Sequence, residues 1–513
     1  MSASREKKQR VSTGPSAKAA KVTKEQVEYQ RKARRYTIIG IVVVLLVAVL
    51  LVMGSNPVQG SKTAATVGSE KLSVAELGYY YYQTRYPYAV YGLLDTSKSD
   101  DAQAYGEGTF RDYFMEAALA NAQDITAVYD AAVKAGYKDS DVAEDVAASI
   151  ENAKASAASS GVSYKTYLKG MYGSYMTPSI MKDIMTKTLL ANKYYADEYN
   201  KTLESYTNED FEKYYAEHAD DLDEFEYSYL QFKPETVATK DADGKELSED
   251  EVAKLTEEAN AAAKAKAEAV LAAYNDGKTN IADLIDEYYP TTSGDHTVTQ
   301  GTGSINSYYK EDLLKLGEGE AALVEDETVG YYVIVFHSRG RNETLTANVR
   351  HILFSAEPTV GSDNKVTAPS EKLMSEAEKK ANDALAEYLA GSKTAESFGE
   401  LANKYSDDTG SNTTGGLYEN VTENYFVSEL NEWMFGENQP AVGDTAVIRH
   451  DGDTASTSTY WGYHVIRLDS WGMAHWALDA REALAGEAME SLRTSLGENF
   501  KPVLTAGADS IGK

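Results

Sequence analysis

One sequence pattern occurs twice in this chain, and this duplication constrains the fold more than any other feature. The first copy runs from Tyr227 to Phe336 and the second from Val349 to Leu468. Each copy opens on an alternating apolar stretch, passes through helical segments and closes on another alternating stretch. A period of two predicts strands and a period near 3.6 predicts helices. Each copy therefore predicts an α+β domain of ordinary size.

The two copies differ at two positions that matter for chemistry. In register, Tyr229 stands where the second copy has His351, and Tyr332 stands where it has His464. Because the first copy lacks both ring nitrogens, we expect a division of labour. The second copy is predicted to carry chemistry and the first to serve as a scaffold or a binding surface.

Length and charge point to several domains with different surroundings. A chain of 513 residues is too long for one core. Residues 1–36 contain 11 Lys and Arg against 3 Glu, a net charge of +8. Because the whole chain has a net charge of −30, the remaining residues have a net charge of −38. This acidic body argues against nucleic-acid binding, which needs clustered Lys and Arg.

Residues 37–54 are predicted to form a transmembrane helix. They are 18 residues without a charge, and Arg31, Lys32, Arg34 and Arg35 precede them. By the positive-inside rule, residues 1–36 form a cytoplasmic tail and the body lies outside the cell membrane. A cleaved signal peptide is the alternative. The chain has no cysteine, which excludes disulfides and thiolate sites.

The rest of the body divides into four predicted segments: a helical domain (62–220), a first module (222–345), a second module (346–470) and a C-terminal helical segment (471–513) that packs back on the helical domain. The helical domain contains four consecutive tyrosines, Tyr79–Tyr82. They indicate either helix packing with some hydroxyl groups left in water or a cleft that binds unfolded clients.

The modules share local signals. Ser248 with Glu251 and Ser375 with Glu378 are predicted to cap the first helix of each module. The second helix is predicted to end at Tyr288 in one module and at Tyr405 in the other.

An ordered set of motifs in the second module resembles parvulin-type peptidyl-prolyl isomerase domains. The motifs are His351-Ile352-Leu353, Tyr405-Ser406-Asp407-Asp408, the turn Gly415-Gly416-Leu417, the apolar residues Phe426, Leu430 and Phe435, and Gly462-Tyr463-His464-Val465-Ile466. With the membrane anchor and the helical domain, the chain looks like an extracytoplasmic foldase of the PrsA/SurA class. The resemblance implies a multidomain protein with one N-terminal transmembrane helix, an α-helical SurA-like chaperone domain, two tandem α+β parvulin-like domains and a C-terminal helix.

The resemblance also implies roles for single residues. His351 and His464 would form a hydrogen-bonded pair in the floor of the site, and Asp408 would lie beside the substrate carbonyl. The proline pocket would be walled by Phe426, Leu430 and Phe435, with Leu417 or Tyr418 nearby. The chain departs from the family at Phe426, where Met is usual, at Leu430, where Phe is usual, and at Gly416–Glu419, where the family has Gly-Asp-Leu-Gly. Residues 449–460 are longer than usual and could form a flap.

Several alternatives stay open from the sequence. The histidines could be two satisfied core side chains without turnover. The chain could be a non-catalytic holdase that uses parvulin folds as a scaffold, or an envelope protein that tethers partners. The implied partners are unfolded or partly folded exported polypeptides and the membrane, and the oligomeric state is not indicated. No cofactor or metal is expected, because His218, His296, His337, His450 and His475 lack ligand spacing.

Overall fold

The computed structural model describes residues 57–513 apart from Ala242, 289–296, 327–328, 362–364 and 457–458. The chain forms two compact units, residues up to Thr202 together with Glu487–Lys513, and Leu203–Gly486. Within the described residues no helix is both long and apolar enough to cross a bilayer. The predicted cytoplasmic tail and transmembrane helix (residues 1–36 and 37–54) lie outside the described residues.

The first unit is mainly helical and has a small antiparallel sheet. Its helices and strands are α1 (Pro57–Gly60), β1 (Thr63–Val67), β2 (Glu70–Ser73), α2 (Val74–Val90), β3 (Ala104–Tyr105), β4 (Gly108–Thr109), α3 (Phe110–Lys134), α4 (Ala143–Ser159), α5 (Tyr164–Tyr172) and α6 (Pro178–Ser205). Ser73 caps α2: its side chain accepts a hydrogen bond from the Glu76 N–H (3.2 Å), and the Glu76 carboxylate accepts one from the Ser73 N–H (2.7 Å).

The four tyrosines of α2 belong mostly to the core of this unit. Tyr80 and Tyr81 are buried, and Tyr79 and Tyr82 are partly buried against the same cluster. Packing therefore accounts for all four rings, and the exposed aromatic side chains lie farther along, at Tyr86 and Tyr91.

The second unit begins with α7 (Asn208–Leu222) and contains both modules. The first module has β5 (Glu224–Phe232), α8 (Glu249–Asn275), α9 (Ile281–Tyr288), β6 (Thr297–Gly301), α10 (Lys310–Leu313), β7 (Ala321–Asp326) and β8 (Gly330–Gly340). The second has β9 (Leu345–Ala356), the hairpin β10 (Thr359–Val360) and β11 (Val366–Thr367), α11 (Glu371–Ala390), α12 (Ala395–Tyr405), β12 (Leu417–Val421), α13 (Ser428–Phe435), β13 (Thr445–His450) and β14 (Trp461–Ala474).

Both modules fold around four-stranded antiparallel sheets of the same topology. The strand order is β6-β5-β8-β7 in the first and β12-β9-β14-β13 in the second. The register also matches: Tyr229 lies opposite Ile334 as His351 lies opposite Ile466. The tyrosines of one module therefore occupy the sheet positions that the histidines occupy in the other.

A close approach at the start of the last strand is also shared. A Cβ added to Gly330 would lie 2.5 Å from the Phe232 carbonyl oxygen, and one added to Gly462 would lie 2.3 Å from that of Phe354. No real Cβ fits at such a distance, so both modules need glycine at the same place.

Each sheet of the second unit is covered on both faces. Because side chains alternate between the faces along a strand, the two histidines lie on one face. In the second module Ile352 and Val465 face the cluster formed with α11 and α12. The neighbouring positions, including Val349 and Ile466, face the cluster formed with α13. Because side chains alternate along a strand, His351 and His464 lie on the α13 face.

The structure corrects two details read from the sequence. Ser375 lies inside α11 and does not cap it; the cap is Ser370, which accepts a hydrogen bond from the Leu373 N–H. The C-terminal segment is also not helical throughout. After α14 (His475–Gly497) the chain forms β15 (Pro502–Leu504), which pairs with β1 of the first unit. The second helices end at Tyr288 and Tyr405, as the sequence predicts.

Candidate active site

Two buried histidines from adjacent central strands form the middle of the candidate site. His351 of β9 and His464 of β14 are 4% and 2% exposed. Their Nδ1 atoms lie 3.2 Å apart, and the ring planes are nearly parallel, with an interplanar angle of 14°. This distance allows one hydrogen bond between the rings, so one nitrogen must donate and the other accept.

A carboxylate follows on the other side of His351. Asp408, in the loop after α12, places Oδ2 2.8 Å from His351 Nε2. Ser411 and Tyr418 also donate hydrogen bonds to Oδ2, and the Gly410 N–H donates to Oδ1 at 3.0 Å. The bond from His351, together with those from Ser411, Gly410 and Tyr418, holds the pKa of Asp408 well below its usual range. Asp408 is therefore a fixed negative charge at neutral pH.

A phenol closes the chain at its far end. The Tyr460 hydroxyl lies 3.2 Å from His464 Nε2. Burial raises the pKa of Tyr460 to about 12, so its proton stays in place at neutral pH. Burial, with repulsion from His351 and His450, lowers the pKa of His464 to about 3. His464 is therefore a neutral ring.

Each hydrogen in the chain has a direction when each histidine ring carries one hydrogen. Asp408 is ionised and can only accept, so His351 donates from Nε2 and then accepts at Nδ1. His464 must then donate from Nδ1, which leaves its Nε2 to accept the Tyr460 proton. The result is a continuous, one-directional series of hydrogen bonds from Tyr460 through His464 and His351 to Asp408, which we call the Tyr460–Asp408 chain.

A pair of glycines allows the loop to approach the histidine strand. Gly415 and Gly416 have φ values of +72° and +67°. The Gly416 carbonyl accepts a hydrogen bond from the His351 N–H at 2.9 Å. A Cβ on Gly416 would lie 2.2 Å from the His351 carbonyl oxygen. The predicted Gly415-Gly416 turn therefore sets the position of His351 through the backbone.

Aromatic rings cover the same side of the histidine pair. The Tyr418 and Phe426 ring centroids lie 5.3 Å and 5.6 Å from that of His351, and 5.0 Å from each other. Phe426 is partly buried and precedes α13. These two rings and the Asp408 carboxylate form a surface with apolar walls and one negative end.

The structure also places the three other predicted wall residues. Leu430 is fully buried in the core under α13, and Phe435 packs against Trp471 with ring centroids 6.1 Å apart. Leu417 of β12 pairs with Arg350 of β9, and its side chain points to the opposite face of the sheet from that of Tyr418. The structure thus brings together His351, His464, Asp408 and Phe426. Of the two residues predicted to lie near the pocket, Leu417 and Tyr418, it places the Tyr418 ring beside His351.

Sequence reasoning missed three polar residues of the site. Ser411 follows Asp408 by three residues and has no motif of its own. Tyr460 precedes His464 by four residues and lies directly before β14. His450 has no metal-ligand spacing, yet its ring centroid lies 4.7 Å from that of Tyr460. In the described part of the chain no group of three or more His, Asp or Glu side chains could hold a metal ion.

Tyrosine rings fill the corresponding place in the first module. Tyr332 packs against Tyr309 with ring centroids 5.1 Å apart, and Tyr229 lies 6.1 Å from the same ring. Tyr309 is buried, and its hydroxyl lies 3.1 Å from that of Tyr227. The residues Tyr289 and Pro290, where the sequence offers no counterpart of Asp408, lie outside the described residues. This face of the first module is an aromatic core.

A comparison with protein families identifies the module that carries the histidines. Residues 335–470 match the family model of the PPIC-type PPIase domain. This part of the chain is a PPIC-type peptidyl-prolyl cis-trans isomerase domain. The match runs from the middle of β8 into the second half of β14, and it includes the whole Tyr460–Asp408 chain.

Solved structures similar to this chain include three PrsA proteins. Peptidylprolyl isomerase PrsA from Bacillus anthracis is 17% identical over 30% of this chain and 59% of its own, with a TM-score of 0.18. The Bacillus cereus PrsA is 14% identical over 52% and 90%, with a TM-score of 0.20. Foldase protein PrsA from Streptococcus pneumoniae is 14% identical over 48% and 79%, with a TM-score of 0.17.

These similarities do not extend to an activity of the whole chain. The aligned part spans about three fifths of the Bacillus anthracis protein, and the identities and TM-scores are too low to transfer a substrate or a partner. No curated protein matches the chain.

Proposed function

We propose that this chain is a foldase that accelerates the cis-trans isomerisation of Xaa-Pro bonds in unfolded exported proteins, and that the second module does the chemistry. The Tyr460–Asp408 chain inside a PPIC-type domain is the observation that carries this proposal. In the first module the same two sheet positions are occupied by Tyr229 and Tyr332, whose rings carry no nitrogen.

The reaction needs no bond to break, so the site must favour the twisted amide over the planar one. Rotation about an Xaa-Pro bond has a barrier of about 18–20 kcal/mol because twisting removes amide resonance. In the planar amide, resonance places negative charge on the carbonyl oxygen. The twisted amide has less charge there, and it has a localised lone pair on nitrogen. A catalyst accelerates rotation by stabilising the twisted form relative to the planar one.

The Asp408 carboxylate supplies this difference in our proposal. A fixed negative charge beside the substrate carbonyl oxygen repels the planar form more strongly than the twisted form. Such an interaction is strong where water is excluded. The proline ring would lie on Phe426 and Tyr418, which hold it against the apolar surface beside the carboxylate. His351 contributes by keeping Asp408 ionised and oriented.

A carboxylate pair at adjacent positions gives a sharp test of this mechanism. Asp408→Asn removes the charge at the end of the chain, and Asp407→Asn is the matched control. Asp407 is exposed, and its carboxylate accepts hydrogen bonds from the Ser355 N–H (2.9 Å) and hydroxyl (3.0 Å). We expect Asp408→Asn to lower kcat/KM for Xaa-Pro peptides at least tenfold and Asp407→Asn to leave it unchanged. Equal activities of the two variants would contradict the role of Asp408.

The proposal places the two units on the outer side of the cell membrane. The basic residues 1–36 and the uncharged residues 37–54 support a single-pass anchor with a cytoplasmic N-terminus. The acidic body and the lack of cysteine are compatible with an exported protein. Protease treatment of intact cells should remove the body and leave a short membrane-bound fragment, whereas full protection of the body would contradict this orientation.

A holdase activity is the second candidate, and exposed aromatic side chains of the first unit favour it. Tyr91 and Leu93, just after α2, are 78% and 63% exposed. The Tyr88 hydroxyl donates to that of Tyr113 at 3.1 Å, and the Tyr105 and Tyr113 ring centroids lie 4.7 Å apart. Tyrosine rings of this kind offer apolar contact with a polar edge.

Aggregation of an unfolded client measures this second activity. We expect Tyr91→Ser with Leu93→Ser to weaken the suppression of aggregation and to leave peptide isomerisation unchanged. Val442→Ser is the matched control, because Val442 is 60% exposed on the second module. Equal suppression by the double variant and the control would contradict a role for this surface.

A further inference from the structure

The hydrogen bonds of the active site end on a residue that the resemblance to parvulins does not include. Tyr460 lies directly before β14, and its hydroxyl is 3.2 Å from His464 Nε2. His464 is 2% exposed, so Tyr460 satisfies a nitrogen that has no access to bulk water. In the direction given above for the Tyr460–Asp408 chain, the phenol is the donor that allows His464 to direct its other nitrogen toward His351.

Tyr460 is itself held from a second strand and a helix. The His450 ring, at the end of β13, lies 4.7 Å from the Tyr460 ring. His450 Nδ1 is 3.1 Å from the Glu429 carboxylate, which belongs to the first turn of α13. A negative charge is favourable in the first turn of a helix, which stabilises Glu429 where it contacts His450. The His450 ring, which supports Tyr460, therefore contacts Glu429 as well as Tyr460.

The two modules of this chain differ in length at the place that supplies Tyr460. His450 pairs with Gly462, so 11 residues separate the paired positions in the second module. Asp326 pairs with Gly330 in the first, so three residues separate them. The module with histidines thus has the longer connection, and Tyr460 lies within it. The second module, which has His464, also has the long connection that supplies a hydrogen-bond donor to it. The first module, which has Tyr332 at the same position, has the short connection.

We propose that Tyr460 is a positioning residue of the isomerase site, which acts by fixing the tautomer of His464. This inference rests on the proposed isomerase function of the second module. With Tyr460 in place, His464 donates from Nδ1 and His351 accepts, so His351 donates to Asp408. Without the phenol, His464 Nε2 is left without a donor. Placing the His464 hydrogen on Nε2 relieves this, and it reverses the bond between the histidines. His351 would then carry its hydrogen on Nδ1 and could not donate from Nε2 to Asp408.

Tyr460→Phe tests the proposal because it removes only the hydroxyl and keeps the ring against His450. We expect kcat/KM for an Xaa-Pro peptide to fall about three- to tenfold, the size expected for one lost hydrogen bond. KM should stay unchanged, because Tyr460 acts through His464 and does not contact the substrate. In the full-length chain labelled with 15N-histidine, the His464 Nε2 resonance should move away from its hydrogen-bonded position.

Tyr405→Phe is the matched control for the removal of a phenol hydroxyl from the same module. The Tyr405 hydroxyl donates to Glu387 at 2.9 Å on the surface, away from the histidines. This variant should change neither kcat/KM nor the histidine resonances. Unchanged His464 resonances in Tyr460→Phe, or a kcat/KM equal to that of the unaltered chain, would overturn the proposal. An inactive unaltered chain would instead contradict the proposed function, and the NMR comparison would still report on the tautomer.

Discussion

His464→Phe tests the physical basis of the buried histidine pair. Phenylalanine keeps an aromatic ring in a position that is 2% exposed, but it has no nitrogen. In the variant, His351 Nδ1 faces carbon where it now accepts a hydrogen bond at 3.2 Å. An unsatisfied buried acceptor costs about 1–3 kcal/mol. Tyr460 adds little to this cost, because its side chain is partly exposed and its hydroxyl can turn to water.

Amide hydrogen exchange of β9 and β14 measures this cost locally, which suits a chain with several domains. A loss of about 1–3 kcal/mol accelerates exchange through local unfolding about five- to 150-fold. We also expect kcat/KM for Xaa-Pro peptides to fall at least tenfold, since His351 loses the donor that orients it. Tyr332→Phe, at the matching position of the first module, should leave activity unchanged. If His464→Phe changed neither exchange nor activity, the hydrogen-bonded pair would be refuted.

Two further predictions concern the loop and the pH dependence. Gly416→Ala should destabilise the second module by more than the roughly 1–2 kcal/mol of a left-handed backbone, because its Cβ would lie 2.2 Å from the His351 carbonyl oxygen. Gly244 has a φ of +83° and open space around it, so Gly244→Ala should show the backbone cost alone. Equal losses of stability in the two variants, measured by amide exchange, would contradict the close approach. The pKa of His464 is about 3 in the folded chain and about 6.5 when unfolded, so the unfolded state binds the extra proton between these values. The free energy of unfolding should therefore fall as pH drops from about 6.5 to about 3, by up to about 1.4 kcal/mol per pH unit, with Asp408 adding to the loss below about pH 4. Replacing His464 by Phe should flatten this slope above pH 4, and an identical slope would show that His464 is not the group responsible.

The sequence predicts those features that depend on periodicity and on glycine. Alternation predicts the first and last strands of each repeat, and the register places Tyr229 and Tyr332 at the positions of His351 and His464. The Gly415-Gly416 turn follows from residues that tolerate positive φ. These signals are local, so a single sequence is enough to read them.

Other features depend on contacts that no local pattern encodes. Leu430 is predicted as a pocket wall, and its complete burial in the cluster between the sheet and α13 is known only from the fold. Tyr460 and His450 belong to opposite sides of a connection, and only the folded hairpin brings their rings together. The helix cap is a smaller example: the sequence predicts Ser375 as the cap of α11, and the structure uses Ser370.

The central claim is that all isomerase activity of the chain resides in the second module. The most direct test is the cis-trans relaxation of an Xaa-Pro peptide with the full-length chain and with its His351→Ala variant. We expect the unaltered chain to accelerate relaxation and the variant to lose nearly all of this acceleration. Full acceleration by the variant would contradict the account, because it would place the activity outside the Tyr460–Asp408 chain.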